Sequence, residues 1–289
     1  MLTPKQVKKE LENNLALQGL TETYEDVALS RMQVIRHDVL QTRQFLDGVS
    51  EIYAIAKTAY LKQLALVLSK RQREKELEFI RRNHRTVAVL ISGDHSLLGN
   101  IILQTYKVYQ GLTLKMDCDH VVLGKIGSYL ASSARPRMEF KEFPFDDYSV
   151  DENFLKPVTN YIAHYEKIIV VYPRFVSVLR QVPQVDDISG GVVIEQTLGS
   201  QKDYFFEPTS RDVMAYFEGQ IIGSLFRQKM LEAMLARYAA RLTIMDSANQ
   251  TVKKIVAANE RLKVTTDRRE SNNKLLNSFA GMALWGEEQ

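Results

Sequence analysis

The sequence predicts an α/β protein whose two ends form a long antiparallel coiled coil and whose middle folds separately. Three observations carry that expectation. From Thr209 to Trp285 there is no proline, and Gly219, Gly223 and Gly281 are the only interior glycines. Within that stretch Leu231, Met234, Tyr238, Leu242, Met245, Ala248, Val252 and Ile255 recur in steps of three or four. Near the other terminus Met32, Ile35, Val39, Thr42, Leu46, Val49, Tyr53, Ala56 and Tyr60 alternate the same steps without a slip. Both averages lie near the period of about 3.5 residues that winds helices into a left-handed supercoil.

A continuous C-terminal helix would reach roughly 115 Å at 1.5 Å per residue, longer than a compact domain is wide. A helix striped on one narrow face needs a partner, and each end of the chain supplies one for the other. The competing reading is two ordinary core helices of an α/β domain. It sits poorly with lengths several times the usual mean of about 11 to 12 residues.

Taken in order, Gln6 to about Ser69 reads as the first helix, since no proline falls between Lys5 and Arg135 and its only glycines are Gly19 and Gly48. Its opening turns are less regular, with Leu15, Leu17, Leu20, Tyr24 and Val27 among acidic Glu22, Glu25 and Asp26. A basic segment from Lys62 to Arg85 leads into Val87–Ile91, a β-branched run typical of a buried parallel strand. The turn Ser92 to Asn100 and a helix through about Tyr109 complete the first α/β unit. Asp119–Leu123 reads as a strand, Ser128–Ser133 as a short helix and Met138–Phe143 as an edge strand. Glu152–Tyr165 reads as a helix containing Pro157, and Ile168–Tyr172 as a buried strand. A turn over Pro173–Leu179, a strand over Val182–Asp187 and a break at Gly190-Gly191 follow. Tyr204–Glu207 is a last short strand, and Pro208 opens the final helix, a position where proline is well tolerated. The expected division is 1–69 and 209–289 as coiled-coil helices around a Rossmann-like α/β domain at 70–208.

Composition bounds the function. Hydrophobic content of 45% and charged content of 25% are ordinary for a soluble protein. No apolar run approaches the 18 or so residues that span a bilayer, and the N-terminus lacks the apolar core of a secretory signal. A single cysteine, Cys118, allows no internal disulfide and fits a reducing compartment. The net charge of +3 conceals two basic stretches, Lys62–Arg85 and Lys253–Lys274. Neither carries a reading motif or stacking aromatics for nucleic acid. A solvated helix face, or one apposed to an acidic protein, fits them better.

The sequence offers no catalytic constellation. Ser92–Asn100 is neither G-x-G-x-x-G nor G-x-x-x-x-G-K-[ST] and offers no lysine to a phosphate, so it reads as a tight turn. The histidines His37, His84, His95, His120 and His164 are scattered, without metal-ligand spacing. Asp186 and Asp187, adjacent in a strand, point to opposite faces and make a poor acid–base pair. Cys118, between Asp117 and Asp119, has its thiolate disfavoured. No G-x-S-x-G elbow occurs. The expectation is a protein that is not an enzyme and needs no cofactor or metal.

Several motifs, in this order and spacing, resemble one family, the gamma subunit of F-type rotary ATPases. Val27-Ala28-Leu29-Ser30-Arg31-Met32 is similar to its V-A-A-S-K-M, and Ser92 to Asn100 to its S-T-D-R-G-L-C-G-G. Ile126-Gly127-Ser128 matches I-G-S and Gln181-Val182-Pro183 matches Q-V-P. Asp203–Pro208 resembles D-Y-L-Y-E-P, and Arg241–Ala248 resembles A-R-M-x-A-M-x-x-A-T. The resemblance implies a central rotor shaft that passes torque between the catalytic alpha/beta hexamer and the membrane c ring or another driven assembly. It implies alpha, beta and epsilon subunits as partners, and a peripheral place on the cytoplasmic face of the cell membrane. It assigns Tyr204 and Glu207 to a ring-facing foot loop. The family's K-I-T-K-A-M is replaced by Gly19–Tyr24, and its A-R-Q-A-x-I-T-x-E falls on Thr266–Lys274, with Asp267 and Lys274 at the arginine and glutamate positions. Arg268 and Arg269, with Arg261, Lys263 and Lys274, are the expected hexamer-contacting residues. A non-rotating coiled-coil adaptor and a nucleotide-dependent α/β enzyme with helical arms are the alternative readings.

Overall fold

A computed structural model describes residues 3–67, 83–134, 138–143, 145, 150–189 and 210–286. Helix α1 spans Pro4–Val67 and helix α5 spans Ser210–Gly286. Between them lie β1 (Thr86–Ile91), α2 (Ile101–Thr113), β2 (Asp119–Leu123), α3 (Lys125–Ser132), β3 (Lys141–Phe143), α4 (Glu152–Ile162), β4 (Lys167–Ser177) and β5 (Arg180–Asp187). Two compact units divide the chain, Ser30–Arg241 and Met1–Leu29 with Leu242–Gln289. The expected Gly190-Gly191 break, the Tyr204–Glu207 strand and most of the first basic stretch lie outside the described residues.

In the unit Ser30–Arg241 the described strands form one sheet in the order β3-β2-β1-β4-β5. β1, β2, β3 and β4 are parallel, and β5 returns antiparallel to β4. Val87, Ala88, Val89, Leu90 and Ile91 are fully buried, as a β-branched run covered on both faces requires. The expected turn over Pro173–Leu179 is a correction: β4 continues to Ser177, with Pro173 opposite Pro183. β1 pairs with β4 only as far as Val171, so beyond that point the missing proline N–H costs no second ladder.

All nine predicted positions of α1, from Met32 to Tyr60, are buried or half-buried. Leu46, Tyr53 and Ala56 share a buried cluster with Met214 and Ile221 of α5. The same steps continue back through Ala28, Glu25, Thr21, Gln18, Asn14, Leu11 and Val7, each buried or half-buried. The seam therefore turns polar from Asn14 to Glu25, while Leu15, Leu17, Leu20, Tyr24 and Val27 face outward.

In the unit formed by the two chain ends, Leu11, Val252 and Val256 make a buried apolar cluster. Lys253 Nζ meets Glu22 at 3.1 Å, and Asn249 Nδ2 donates to Glu25 at 3.4 Å. One helix index rises as the other falls, so the pairing is antiparallel. On α5 the buried positions after Met245 are Asn249, Val252 and Val256, whereas Ile255 is exposed. Ala248 is half-buried as the stripe expects, and the exposed Ile255 is a correction by one residue, to Val256. The steps from Met234 to Tyr238 to Leu242 are both four, which advances the phase, and the polar Asn249 hides the shift from an apolar search.

Two stability measurements follow. Ile221→Ala is expected to cost about 3 kcal/mol in urea denaturation. Asn249 is buried with Oδ1 unbonded, so Asn249→Val should stabilise the paired ends by about 1 kcal/mol, read as slower amide exchange there.

Candidate functional site

The carboxyl ends of parallel strands, where a doubly wound sheet reverses its order, are where such folds receive ligands. Here that point lies between β1 and β4, and beside it the turns after β1 and β2 bond to each other. Ser92 follows β1, and its Oγ donates to Leu123 O at 2.5 Å. The first amides of α3 are already used: Lys125 N–H donates to Asp94 Oδ1 at 2.8 Å, Ile126 N–H to Gly93 O at 3.0 Å and Gly127 N–H to Ser92 Oγ at 3.0 Å. A phosphate would need those donors. A side chain at Gly127 would place its Cβ 2.6 Å from Ser92 Oγ, and Gly124 has φ +95°. The S-G-D and I-G-S motifs are thus two halves of one close contact.

Arg237 of α5 enters the same place. It is 3% exposed, donates from Nη1 to Ser92 O at 2.6 Å and lays its guanidinium 4.7 Å from the ring centroid of Phe145. Eight residues earlier Lys229 Nζ meets Asp186 of β5 at 2.6 Å. The hydroxyl of Tyr172 in β4 lies 2.8 Å from Asp186 and 3.0 Å from Glu232, and its one proton is shared between the two carboxylates. Ala240 packs into a buried cluster with Leu98, Ile101 and Ile102. A helix is fastened where a ligand site would be.

Burial works against the Asp186 charge, but hydrogen bonds from Lys229, Gln184 and Tyr172, with the Lys229 charge, outweigh it and hold the carboxyl below its ordinary value. Burial, then the nearby Glu232 and Asp186 carboxylates, pushes the Tyr172 hydroxyl far up. Asp187 points elsewhere and accepts from Ser189, so the two adjacent aspartates do separate. The Cys118 thiol is raised by burial and then by Asp117 and Asp119.

The predicted contact residues near the end of α5 are less uniform than the sequence implied. Arg261, Arg268, Arg269 and Lys274 are exposed, but Lys263 is half-buried on the inner seam. Lys274 pairs with Glu270 at 2.8 Å on its own helix. Glu22 is held low by hydrogen bonds from Gln18 and Lys253. Tyr204 and Glu207 lie outside the described residues. Among the described residues no three His, Cys, Asp or Glu side chains converge as metal ligands, and no helix is long and apolar enough to cross a membrane.

Residues 3–269 match the family described as ATP synthase. A relative from Chlorobium phaeobacteroides strain BS1, an ATP synthase gamma chain, is 23% identical over 93% of this chain and 92% of its own length. This chain belongs to the ATP synthase gamma-chain family. A gamma chain from Roseiflexus castenholzii is 20% identical over 88% of this chain and 89% of its own. Among solved structures, a central stalk/c-ring chain of Tetrahymena thermophila mitochondrial ATP synthase covers 79% of this chain and 99% of that chain, with a TM-score of 0.57 and 15% identity. That likeness shows the fold. A gamma chain is a subunit of a larger complex.

Lys229, Glu232, Tyr172, Phe145 and Arg237 were missed from the sequence. The available signal was two charges, Glu232 and Arg237, in an otherwise apolar run from Met230 to Ala240. A helix that is apolar on every face is buried, and a charge within it needs a partner.

The sign of the Asp186 effect sets a pH test. A folded value below the unfolded one gives stability that is present above the ordinary aspartate pKa of about 3.9 and is lost as pH falls through the lower folded value. Asp186→Asn should cost about 1–2 kcal/mol at pH 7, a figure reduced for partial exposure. Denaturant titrations of wild type and variant should converge once pH falls below the lowered folded value.

Proposed function

We propose that this chain is the non-catalytic rotor shaft of an F-type ATPase, passing torque between an alpha/beta hexamer and a membrane c ring or another driven assembly. The observation that carries the reading is the antiparallel pairing of the chain's two ends, seen at Glu22–Lys253 and Glu25–Asn249, in a gamma-family chain whose sheet seats its own helix. The working division is 1–69 and 209–289 as shaft helices and 70–208 as the foot.

The hexamer's alpha and beta subunits engage the exposed cations Arg261, Arg268, Arg269 and Lys274. Lys263 contributes its charge from the seam, its aliphatic stem packed and its ammonium reaching water. Tyr204 and Glu207 face the ring, and an epsilon subunit is a further partner. Nucleic acid is not a partner. The location is peripheral, on the cytoplasmic face of the cell membrane.

The chemistry asked of this chain is mechanical. Bond-making belongs to the hexamer, and the shaft presents positive charge to whatever acidic surface pushes it. Exposed single pairs contribute only about 0 to 1 kcal/mol each, so several must act together, and high salt weakens them.

Two measurements test this. Deleting residues 259–289 should abolish ATP-driven rotation in the reconstituted complex while the α/β unit keeps its thermal transition. Unchanged rotation would contradict the reading, and co-purification without a hexamer would favour the adaptor. Arg268→Glu with Arg269→Glu should weaken hexamer binding roughly five- to tenfold at low salt, equivalent to about 1 kcal/mol or slightly more. The difference should shrink at high salt.

A further inference from the structure

An apolar seam holds two helices together but is non-directional, so it does little to stop a helix from rolling against its support. Directional bonds do. Among the described residues α5 reaches the sheet through Lys229 to Asp186 in β5, Glu232 to the hydroxyl of Tyr172 in β4, and Arg237 to Ser92 O just beyond β1. Each reaches a different one of three adjacent strands. At 3.6 residues per turn, their directions span roughly 140° of the helix circumference and about 12 Å of its length. Attachments at separate heights and azimuths resist roll and tilt together.

We propose that Lys229, Glu232 and Arg237 are positioning residues of a torque clamp, which locks α5 against rotation about its own axis relative to the sheet. The proposal rests on the rotor reading above and adds where the turning moment crosses from coiled coil to α/β unit. Arg237 is the most buried of the three. Its 3% exposure keeps water from competing for Ser92 O. Its planar fork is held against the Phe145 ring, and a lysine would not reproduce that geometry. Lys229 and Asp186 side chains are 15% and 25% exposed, so their bond is partly shielded. The apolar contact of Ala240 with Leu98, Ile101 and Ile102 supplies cohesion without fixing azimuth.

The test uses the hexamer-containing complex in a Cys118→Ser background. A gold nanorod is attached either at Ser133→Cys, exposed at the end of α3, or at Thr58→Cys, exposed on α1. Angular variance within each catalytic dwell is compared between the two sites. Arg237→Met should widen the variance at Ser133→Cys by roughly 1.5-fold, as for the loss of one of three equal restraints, and leave it unchanged at Thr58→Cys. Hexamer binding and ATP hydrolysis should stay at wild-type rates. Arg237→Lys should fail to restore the narrow distribution. Lys229→Met, at a more exposed position, is the independent variant should Arg237→Met not fold, and should widen the variance similarly. Equal variance at both sites in folded variants overturns the clamp. Absence of rotation in the wild type overturns the rotor reading itself.

Discussion

The structure depends on one stretch of α5 being covered on every side. From Met230 to Ala240 each residue is buried except Glu232, which is half-buried. A coiled-coil seam alone buries a narrow stripe of a helix. All-round burial requires a second surface, and the sheet provides it at the carboxyl ends of β1 and β4. The turn after β1 and the N-terminus of α3 bond to each other, and Arg237 takes the remaining acceptor at Ser92 O.

The seam changes character along the chain in a way that suits its work. In the unit Ser30–Arg241 the contacts between α1 and α5 are large and apolar, as at Tyr53, Met214 and Ile221. Within the unit of the chain ends they become sparse and polar, with Asn14, Gln18, Thr21 and Glu25 on one helix and Asn249 on the other. Polar residues in a seam lower stability and fix register. The apolar residues displaced from that seam, including Leu20 and Tyr24, are instead exposed.

How far the sequence could be read depended on how apolar each seam was. From Met32 to Tyr60 a single polar entry, Thr42, left the period intact, and every position was correctly placed. Between Asn14 and Glu25 the inner positions are polar and the outer ones apolar, so a hydrophobic search followed the wrong face. The same effect hid the buried Asn249 and put the exposed Ile255 in place of Val256. Pro173 was read as a turn because proline ordinarily ends a strand, yet here only β5 needed pairing. The strands β1 and β2 were legible because burial on both faces leaves little but Val, Ile, Leu and Ala. The helix–sheet attachments were not, since bonds between residues as far apart as Ser92 and Arg237 leave no local pattern.

The central claim is that the two chain ends pair antiparallel in the register set by Glu22 and Lys253. The most direct measurement is crosslinking of Glu22→Cys with Lys253→Cys by a short bismaleimide, in the full chain with Cys118→Ser. Efficient intramolecular crosslinking, with little for Glu22→Cys paired with Glu260→Cys two helical turns away, is the result this account predicts. Equal yields from the two pairs, or none from the first, would contradict it.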